Sequence, residues 1–271
     1  MAIVNRTPDS FYDRGATFAE DAARIAVDTA VAEGADVIDV GGVTASPGAE
    51  VDADEEIQRV LPTVKWIRES YPDVLISVDT WRHEVGDAVC RAGADIINDA
   101  WGAADPRLLD VAAEYGAGYV CTHANRDPRA EPVRSDYDDV VATVLAETTR
   151  LAELAEARGV PRGGILIDGT GYGKNTTDHL ALVARVDELV ATGWPVLMAL
   201  SNKTFVRESL DLDVEDRDEL LAGTLAATAV AARAGAAMFR AHQVLPTRRI
   251  VELVACVNGT RVPAREEKWV S

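Results

Sequence analysis

The sequence predicts an α/β protein folded as a single-domain (β/α)8 TIM barrel, and three observations carry that expectation. One punctuation recurs along the chain: an amphipathic stretch ends, Gly and Ala follow, and a short apolar run begins. It occurs at 33–36 before Val37-Ile38, at 92–95 before Ile96-Ile97, at 115–118 before Tyr119-Val120 and at 234–237 before Met238-Phe239, with Gly193-Trp194-Pro195 as a variant. Gly just past a helix end takes the left-handed cap, and a parallel strand buried on both faces reads as an unbroken apolar run. The apolar runs number eight and alternate with helix-like stretches, the pattern of a closed parallel barrel. The chain length, 271 residues, suits such a barrel, which fills about 250 residues as one domain. An open doubly wound sheet is the competing arrangement.

Taken in order, Ala2–Val4 opens the chain as a short strand that ends at Asn5. The Ala-rich amphipathic stretch Ala19–Ala32 leads to strand Val37–Val40, followed by Gly41-Gly42. Helix Glu55–Glu69 precedes strand Leu75–Val78, which ends at Asp79-Thr80. Strand Asp95–Ile97 ends at Asn98-Asp99, and strand Gly118–Cys121 leads to His123. Asn125–Tyr137, charged and holding two prolines, reads as a strand-to-helix loop before helix Asp138–Arg158. Strand Ile165–Ile167 ends at Asp168, with helix Thr177–Thr192 after it. Strand Val196–Ala199 runs into Ser201-Asn202-Lys203. Helix Glu219–Ala234, strand Met238–Arg240 and helix Thr247–Val257 complete the set. No linker rich in Pro, Gly or Ser divides the chain, so residues 1–271 are expected to form one domain.

Composition removes several classes of function. Lys and Arg number 27 against 45 Asp and Glu, a net charge of −18. An acidic surface repels polyanions, so neither nucleic acid nor an anionic membrane is an expected partner. The three cysteines, Cys90, Cys121 and Cys256, form no CxxC pair, which excludes a zinc ribbon or a disulfide framework and fits a reducing cytoplasm. No apolar run is long enough to span a bilayer, and no signal peptide precedes the first motif.

In a barrel the C-terminal strand ends converge on one face, where the active site lies. Every predicted strand here ends in polar residues. A single Asp or Asn at such a place is ordinary turn or capping chemistry; eight at once are not. The chemistry divides. Asp79, Asn98 and Asp168 suit paired hydrogen bonds to a flat heterocycle that carries donors and acceptors. Lys203, Arg240 and His242 follow strands seven and eight, where barrels often bind phosphate, and are read as cations. Asn5, on the neighbouring first strand, joins the anion site or holds a metal-bound water. The expected ligand has a hydrogen-bonding ring at one end and phosphate at the other. Gly169–Asn175 lacks both the GxGxxG and the Walker spacing. His83 and His179 fall on predicted helices and read as packing or surface residues.

These strand ends resemble dihydropteroate synthases, a family of pterin-binding (β/α)8 barrels, along almost the whole chain. Asn5-Arg6-Thr7-Pro8-Asp9-Ser10-Phe11 is similar to the family's first signature, and Ile38–Gly42 with Pro47-Gly48-Ala49 to its second. Ile76–Thr80, Ile97-Asn98-Asp99, Gly173-Lys174, Ser201-x-Lys203 and Arg240-x-His242 follow in the family's order. The resemblance implies that Asp79, Asn98, Asp168 and Lys203 hold a pterin ring, and that Asn5, Arg240 and His242 hold pyrophosphate with Mg²⁺ at Asn5. It implies catalysis by Lys203, Arg240, His242 and Asn5. The substrates would be 6-hydroxymethyl-7,8-dihydropterin pyrophosphate and p-aminobenzoate, and the assembly a homodimer. Pyrophosphate leaves first in that reaction and the arylamine then attacks, so no protein nucleophile is required.

The departures are specific. The family's second loop reads Gly-Gly-Glu-Ser-Thr-Arg-Pro-Gly, whereas this chain has Gly41-Gly42-Val43-Thr44-Ala45-Ser46-Pro47-Gly48. Ala45 and Ser46 stand where Thr and Arg close over the substrates. A lost Arg–phosphate contact costs about 2–4 kcal/mol of transition-state binding. Asn202 replaces an Arg, Gln243 replaces an Asp, and Arg6 replaces a small apolar residue and is expected to supply a substitute cation. The sixth-strand motif, which carries the aromatic residue of the p-aminobenzoate pocket, is one residue short as Asp168–Lys174. The expectation is a family member whose condensation with p-aminobenzoate is weakened or lost. The alternatives are a fully active synthase, a non-catalytic pterin-binding protein, or an enzyme using another amine or pterin. A folate-dependent methyltransferase is a further reading, disfavoured by the first-loop signature.

Overall fold

The structure is a computed structural model that describes residues 1–8, 17–43, 51–124 and 136–265. Eight parallel strands form one sheet in chain order: β1 (Ala2–Asn5), β2 (Val37–Gly41), β3 (Leu75–Asp79), β4 (Ile96–Asp99), β5 (Gly118–Thr122), β6 (Ile165–Asp168), β7 (Val196–Met198) and β8 (Met238–Phe239). A parallel bridge between Ala2 and Ala241 closes the sheet, with Ile3 N–H donating to Ala241 O at 3.1 Å and Ala241 N–H to Met1 O at 2.9 Å. The closed barrel expected from the sequence is therefore the fold.

The helices are α1 (Glu20–Ala32), α2 (Ala53–Ser70), α3 (His83–Arg91), α4 (Arg107–Tyr115), α5 (Val140–Ala157), α6 (Thr176–Ala184), α7 (Val186–Val190), α8 (Thr204–Leu210), α9 (Arg217–Ala234) and α10 (Val244–Val257). Their starts are written locally. Asp52 caps α2 by accepting from Glu55 N–H at 2.8 Å, and Asn175 with Asp178 forms a capping box on α6. The predicted helix 177–192 is broken at Arg185, which leaves helical geometry (φ −119°, ψ 30°) and separates α6 from α7. Strand β8 is shorter than expected: Arg240 lies just beyond it. The loop reading of Asn125–Tyr137 falls mostly outside the described residues.

Side-chain alternation sorts each strand into two faces. Ala2, Val4, Ile38, Val40, Ile76 and Val78 pack outward against helices in one buried cluster. Tyr119, Cys121, Ile165, Ile167, Val196 and Met198 do so in a second. Inside the barrel, Val37, Ile96, Val120, Leu166 and Leu197 make a small apolar plug, with Met1, Ala199 and Met238 against it. One step further along the same inward-facing rows come Asp39, Asn98, Thr122 and Asp168, so the interior changes from apolar to polar toward the C-terminal strand ends. Among the described residues no helix is long and apolar enough to cross a membrane.

Candidate functional site

The polar rows meet around a buried carboxylate. Asp39, wholly inaccessible on β2, accepts from Ser77 Oγ at 2.6 Å and from Asn98 Nδ2 at 3.2 Å. Arg240 reaches across from beyond β8 and donates Nε to Asp39 Oδ2 at 2.6 Å and Nη2 to Asp79 Oδ2 at 3.1 Å. A buried charge persists only when paired and hydrogen-bonded, and here Asp39 has donors from three other strands or strand ends. The sequence reading placed Asp39 on its strand but gave it no role. Its signal was available, since a carboxylate inside an otherwise apolar strand needs a partner.

Electrostatics follow from burial. Desolvation pushes the Asp79 carboxyl up to about 7, against the opposing pull of Arg240. The two carboxylates hold Arg240 firmly protonated although it is desolvated. On the opposite side, Asp168 Oδ1 accepts from the backbone N–H of Thr170 at 2.6 Å and from its hydroxyl at 2.5 Å. Lys203 donates Nζ to Thr170 O. Burial brings Lys203 down to about 8, with Asp168 opposing and Arg240 reinforcing the shift. Asn5 sits on the other flank: a Cβ on Gly41 would lie 3.6 Å from Asn5 Oδ1 and 3.7 Å from the Asp79 Cβ. Asp79, Asn98, Asp168, Lys203, Arg240, His242 and Asn5 thus surround one barrel mouth.

One expectation changes. His242 is not a cation in this state. Burial and the neighbouring Arg240 bring its imidazole down to about 3, so it is neutral, with Nδ1 at 3.0 Å from Ser201 Oγ. Arg6, just beyond β1, is only 8% exposed; burial lowers its guanidinium from the ordinary arginine value, and Glu20 in the first turn of α1 opposes that shift. His179 packs as expected, stacked on Phe205. His83 does gather carboxylates: Nδ1 lies 2.8 Å from Asp105 and 3.0 Å from Glu84, while Arg107 also engages Asp105.

The substituted positions beyond β7 and β8 touch one another. Asn202 Nδ2 donates to Gln243 Oε1 at 3.4 Å. The replacements of Arg by Asn and Asp by Gln therefore remove one positive and one negative charge from adjoining places. Asn202 has φ +55°, a conformation that Asn tolerates better than most residues. Ala45 and Ser46 lie outside the described residues. The shortened connection after β6 keeps Asp168 and Lys174 on the mouth. Lys174 Nζ donates to His123 O at 3.1 Å and Gly171 O at 3.2 Å, and burial together with Lys203 lowers it to about 7. Glycine is required at 171, where a Cβ would come within 2.4 Å of His123 O.

Comparison with known proteins places this geometry. The family model described as pterin binding enzyme matches residues 1–242. A Mycobacterium leprae protein named inactive dihydropteroate synthase 2 is 58% identical over 98% of this chain and 92% of its own. A solved Mycobacterium tuberculosis structure is 48% identical, covers 97% of this chain and 93% of its own, and superposes with a TM-score of 0.74. The Xanthomonas albilineans dihydropteroate synthase, solved with 4-aminobenzoic acid, is 35% identical over 97% of this chain and 93% of its own, with a TM-score of 0.85. With fold, strand-end chemistry and sequence all in agreement, the chain belongs to the pterin-binding enzyme family, among its dihydropteroate synthase-like members.

Proposed function

We propose that this protein binds a pterin pyrophosphate at the barrel mouth and that its condensation with p-aminobenzoate is weakened or lost. The observation that carries the reading is the Asp39–Arg240–Asp79 network, which ties ring-reading groups to an anion-binding guanidinium. Asp79, Asn98, Asp168 and Lys203 hold the ring. The Asp79 and Asp168 carboxyl oxygens accept from its N–H groups, and Asn98 offers both a donor and an acceptor. Arg240 favours the ionised form of Asp79 against the effect of burial and gives Nη donors to phosphate oxygens. His242, neutral, contributes a hydrogen bond, and Asn5 an amide oxygen.

Mg²⁺ fits this donor set as an ion brought in with the pyrophosphate. Asn5 offers a single neutral oxygen beside Asp79, and Mg²⁺ commonly takes few protein ligands alongside substrate phosphates and water. When bound, the ion neutralises charge on the leaving pyrophosphate. The chain's own groups supply the rest: Arg240 and Lys203 stabilise the departing anion, and the mouth aligns the pterin methylene for an amine. The weakened second half rests on Ala45 and Ser46 and on the name of the Mycobacterium leprae relative. A single domain over residues 1–271, a homodimer and a cytoplasmic location belong to the same proposal.

The experiment follows pyrophosphate release from the pterin pyrophosphate with Mg²⁺, with and without p-aminobenzoate, alongside direct pterin binding. Pterin binding with amine-dependent release far below about 0.1 s⁻¹ is the expected result. Release at about 0.1–10 s⁻¹ would instead make the protein a working synthase. Restoring the loop by Ala45→Thr with Ser46→Arg is expected to raise turnover by about 30-fold or more, the reverse of the lost Arg–phosphate contact.

A further inference from the structure

Two ring-reading groups, Asp168 and Lys203, are tied together by a residue to which the sequence pattern gave no role. Thr170, wholly inaccessible in the shortened connection after β6, donates its hydroxyl to Asp168 Oδ1 at 2.5 Å and its backbone N–H to the same oxygen at 2.6 Å. The hydroxyl oxygen in turn accepts from Ala199 N–H at 3.0 Å. A backbone N–H can only donate, so the one hydroxyl proton is directed to the Asp168 carboxylate. The carbonyl of Thr170 accepts from Lys203 Nζ.

Each contact has a local reason. The β6–β7 ladder ends with Asp168 paired to Leu197, so Ala199 lies beyond the last rung and its N–H takes a side-chain acceptor. Glycine on either side lets the chain come close to its neighbours. A Cβ on Gly169 would lie 2.8 Å from Val144 Cγ1 of α5, and one on Gly171 2.4 Å from His123 O. Thr170 is held between these two close approaches.

The consequence falls on Asp168. A carboxylate oxygen has about two lone-pair directions, and Thr170 uses both of those on Oδ1. Among the described residues, no other donor reaches this carboxylate, so Oδ2 keeps its acceptor capacity.

We propose that Thr170 is a positioning residue that occupies Oδ1 of Asp168, so that the pterin ring is read through Oδ2 alone. This rests on the reading of the mouth as a pterin site. The ring so selected brings its N–H donors to a single oxygen rather than spreading a donor pair across both oxygens of the carboxylate. Thr170 touches no ligand itself; it acts through Asp168.

The test measures binding of 6-hydroxymethyl-7,8-dihydropterin pyrophosphate with Mg²⁺ to the full chain by calorimetry, with inorganic pyrophosphate as the ligand that has no ring. Wild type is compared with Thr170→Val, Thr170→Ser, Thr170→Cys, Asp168→Asn and the double change Thr170→Val with Asp168→Asn. Thr170→Val keeps the shape and loses the hydroxyl. It is expected to weaken the pterin by about 10-fold, the size of a hydrogen bond to a charged group, and to leave inorganic pyrophosphate unchanged. Thr170→Ser keeps the hydroxyl and should stay within about twofold of wild type. Thr170→Cys, a weak donor and acceptor, should fall between, and it carries the comparison should Thr170→Val not fold. With Asp168→Asn already present, Thr170→Val should cost less than about twofold, because the two residues act as one unit. Should Asp168→Asn bind too weakly for that cycle, the pyrophosphate control decides alone. Equal weakening of both ligands, or the same loss in both backgrounds, would reduce Thr170 to packing and overturn the proposal. So would unchanged or tighter pterin binding in Thr170→Val, or a Thr170→Ser as weak as Thr170→Val. A wild type that binds no pterin pyrophosphate would instead remove the pterin-site reading beneath the proposal, and the proposal with it.

Discussion

Two regions of the same mouth have different textures. Around β2, β3, β4 and Arg240, charges are buried and each meets a partner at short range, with Arg240 2.6 Å from Asp39 and Ser77 2.6 Å from the same carboxylate. At Ser201, Asn202 and Gln243, beyond β7 and β8, the side chains are neutral and their contacts to one another long, with Asn202 at 3.4 Å and Ser201 at 3.5 Å from Gln243. The difference explains where change is tolerated. Removing one member of the first group strands a buried charge, whereas neutral amides with loose geometry can replace one another at little cost. The departures from the synthase pattern at 202 and 243 lie in the second region, and none of Asp79, Asn98 and Arg240 is among them.

The largest effect should come from breaking the tight region. Asp39→Ala leaves Arg240 with one carboxylate and orphans Ser77 and Asn98, and is expected to cost about 3–5 kcal/mol in urea unfolding. Pterin pyrophosphate binding should fall with it. Arg240→Lys keeps the charge but loses the two-pronged contact to Asp39 and Asp79; ligand affinity should drop by about 10-fold or more while the fold survives. Retained affinity in Arg240→Lys would show that a point charge suffices.

Proton linkage separates the regions next. The folded Asp79 carboxyl is raised to about 7, above its unfolded value, so its contribution to stability is full at acid pH and is lost as pH rises through about 7. Ring binding runs the opposite way, because an ionised Asp79 is the acceptor: pterin affinity should rise with pH up to about 7. Lys203 limits the window, losing charge above about 8. Asp79→Asn should flatten the acid side of the profile. The smallest effect is expected in the loose region. Asn202→Arg places a long side chain at φ +55° and should cost about 1 kcal/mol, read by thermal melting. Asn202→Gly should be neutral to within about 0.5 kcal/mol.

Much of this was legible before the structure. Strands buried on both faces announce themselves as apolar runs, and the polar residue that ends each run needs only the barrel to be gathered. Asp79, Asn98, Asp168, Lys203, Arg240 and His242 were found that way. What escaped was information carried by contact rather than by position. The charge of His242 depends on its burial beside Arg240, which spacing does not reveal. Ring contacts join Trp101 to Trp81 and to Tyr172, which nothing in the linear sequence connects. The break at Arg185 hides inside a continuous helical composition, since propensity does not record where tertiary packing bends a helix.

The bridge between Ala2 and Ala241 bears on how the protein comes into being. The guanidinium of Arg240 and the carboxylate of Asp39 are 201 residues apart in the chain, and Arg240 and Asp79 are 161 apart. Contacts of such long range form slowly, because the chain loses much of its freedom before they return any energy. The pterin mouth can therefore exist only after the ends of the sheet have met, and no earlier assembly intermediate can hold the ligand at it. A pterin present during refolding would bind the finished barrel alone, which makes the appearance of its binding signal a clock for ring closure.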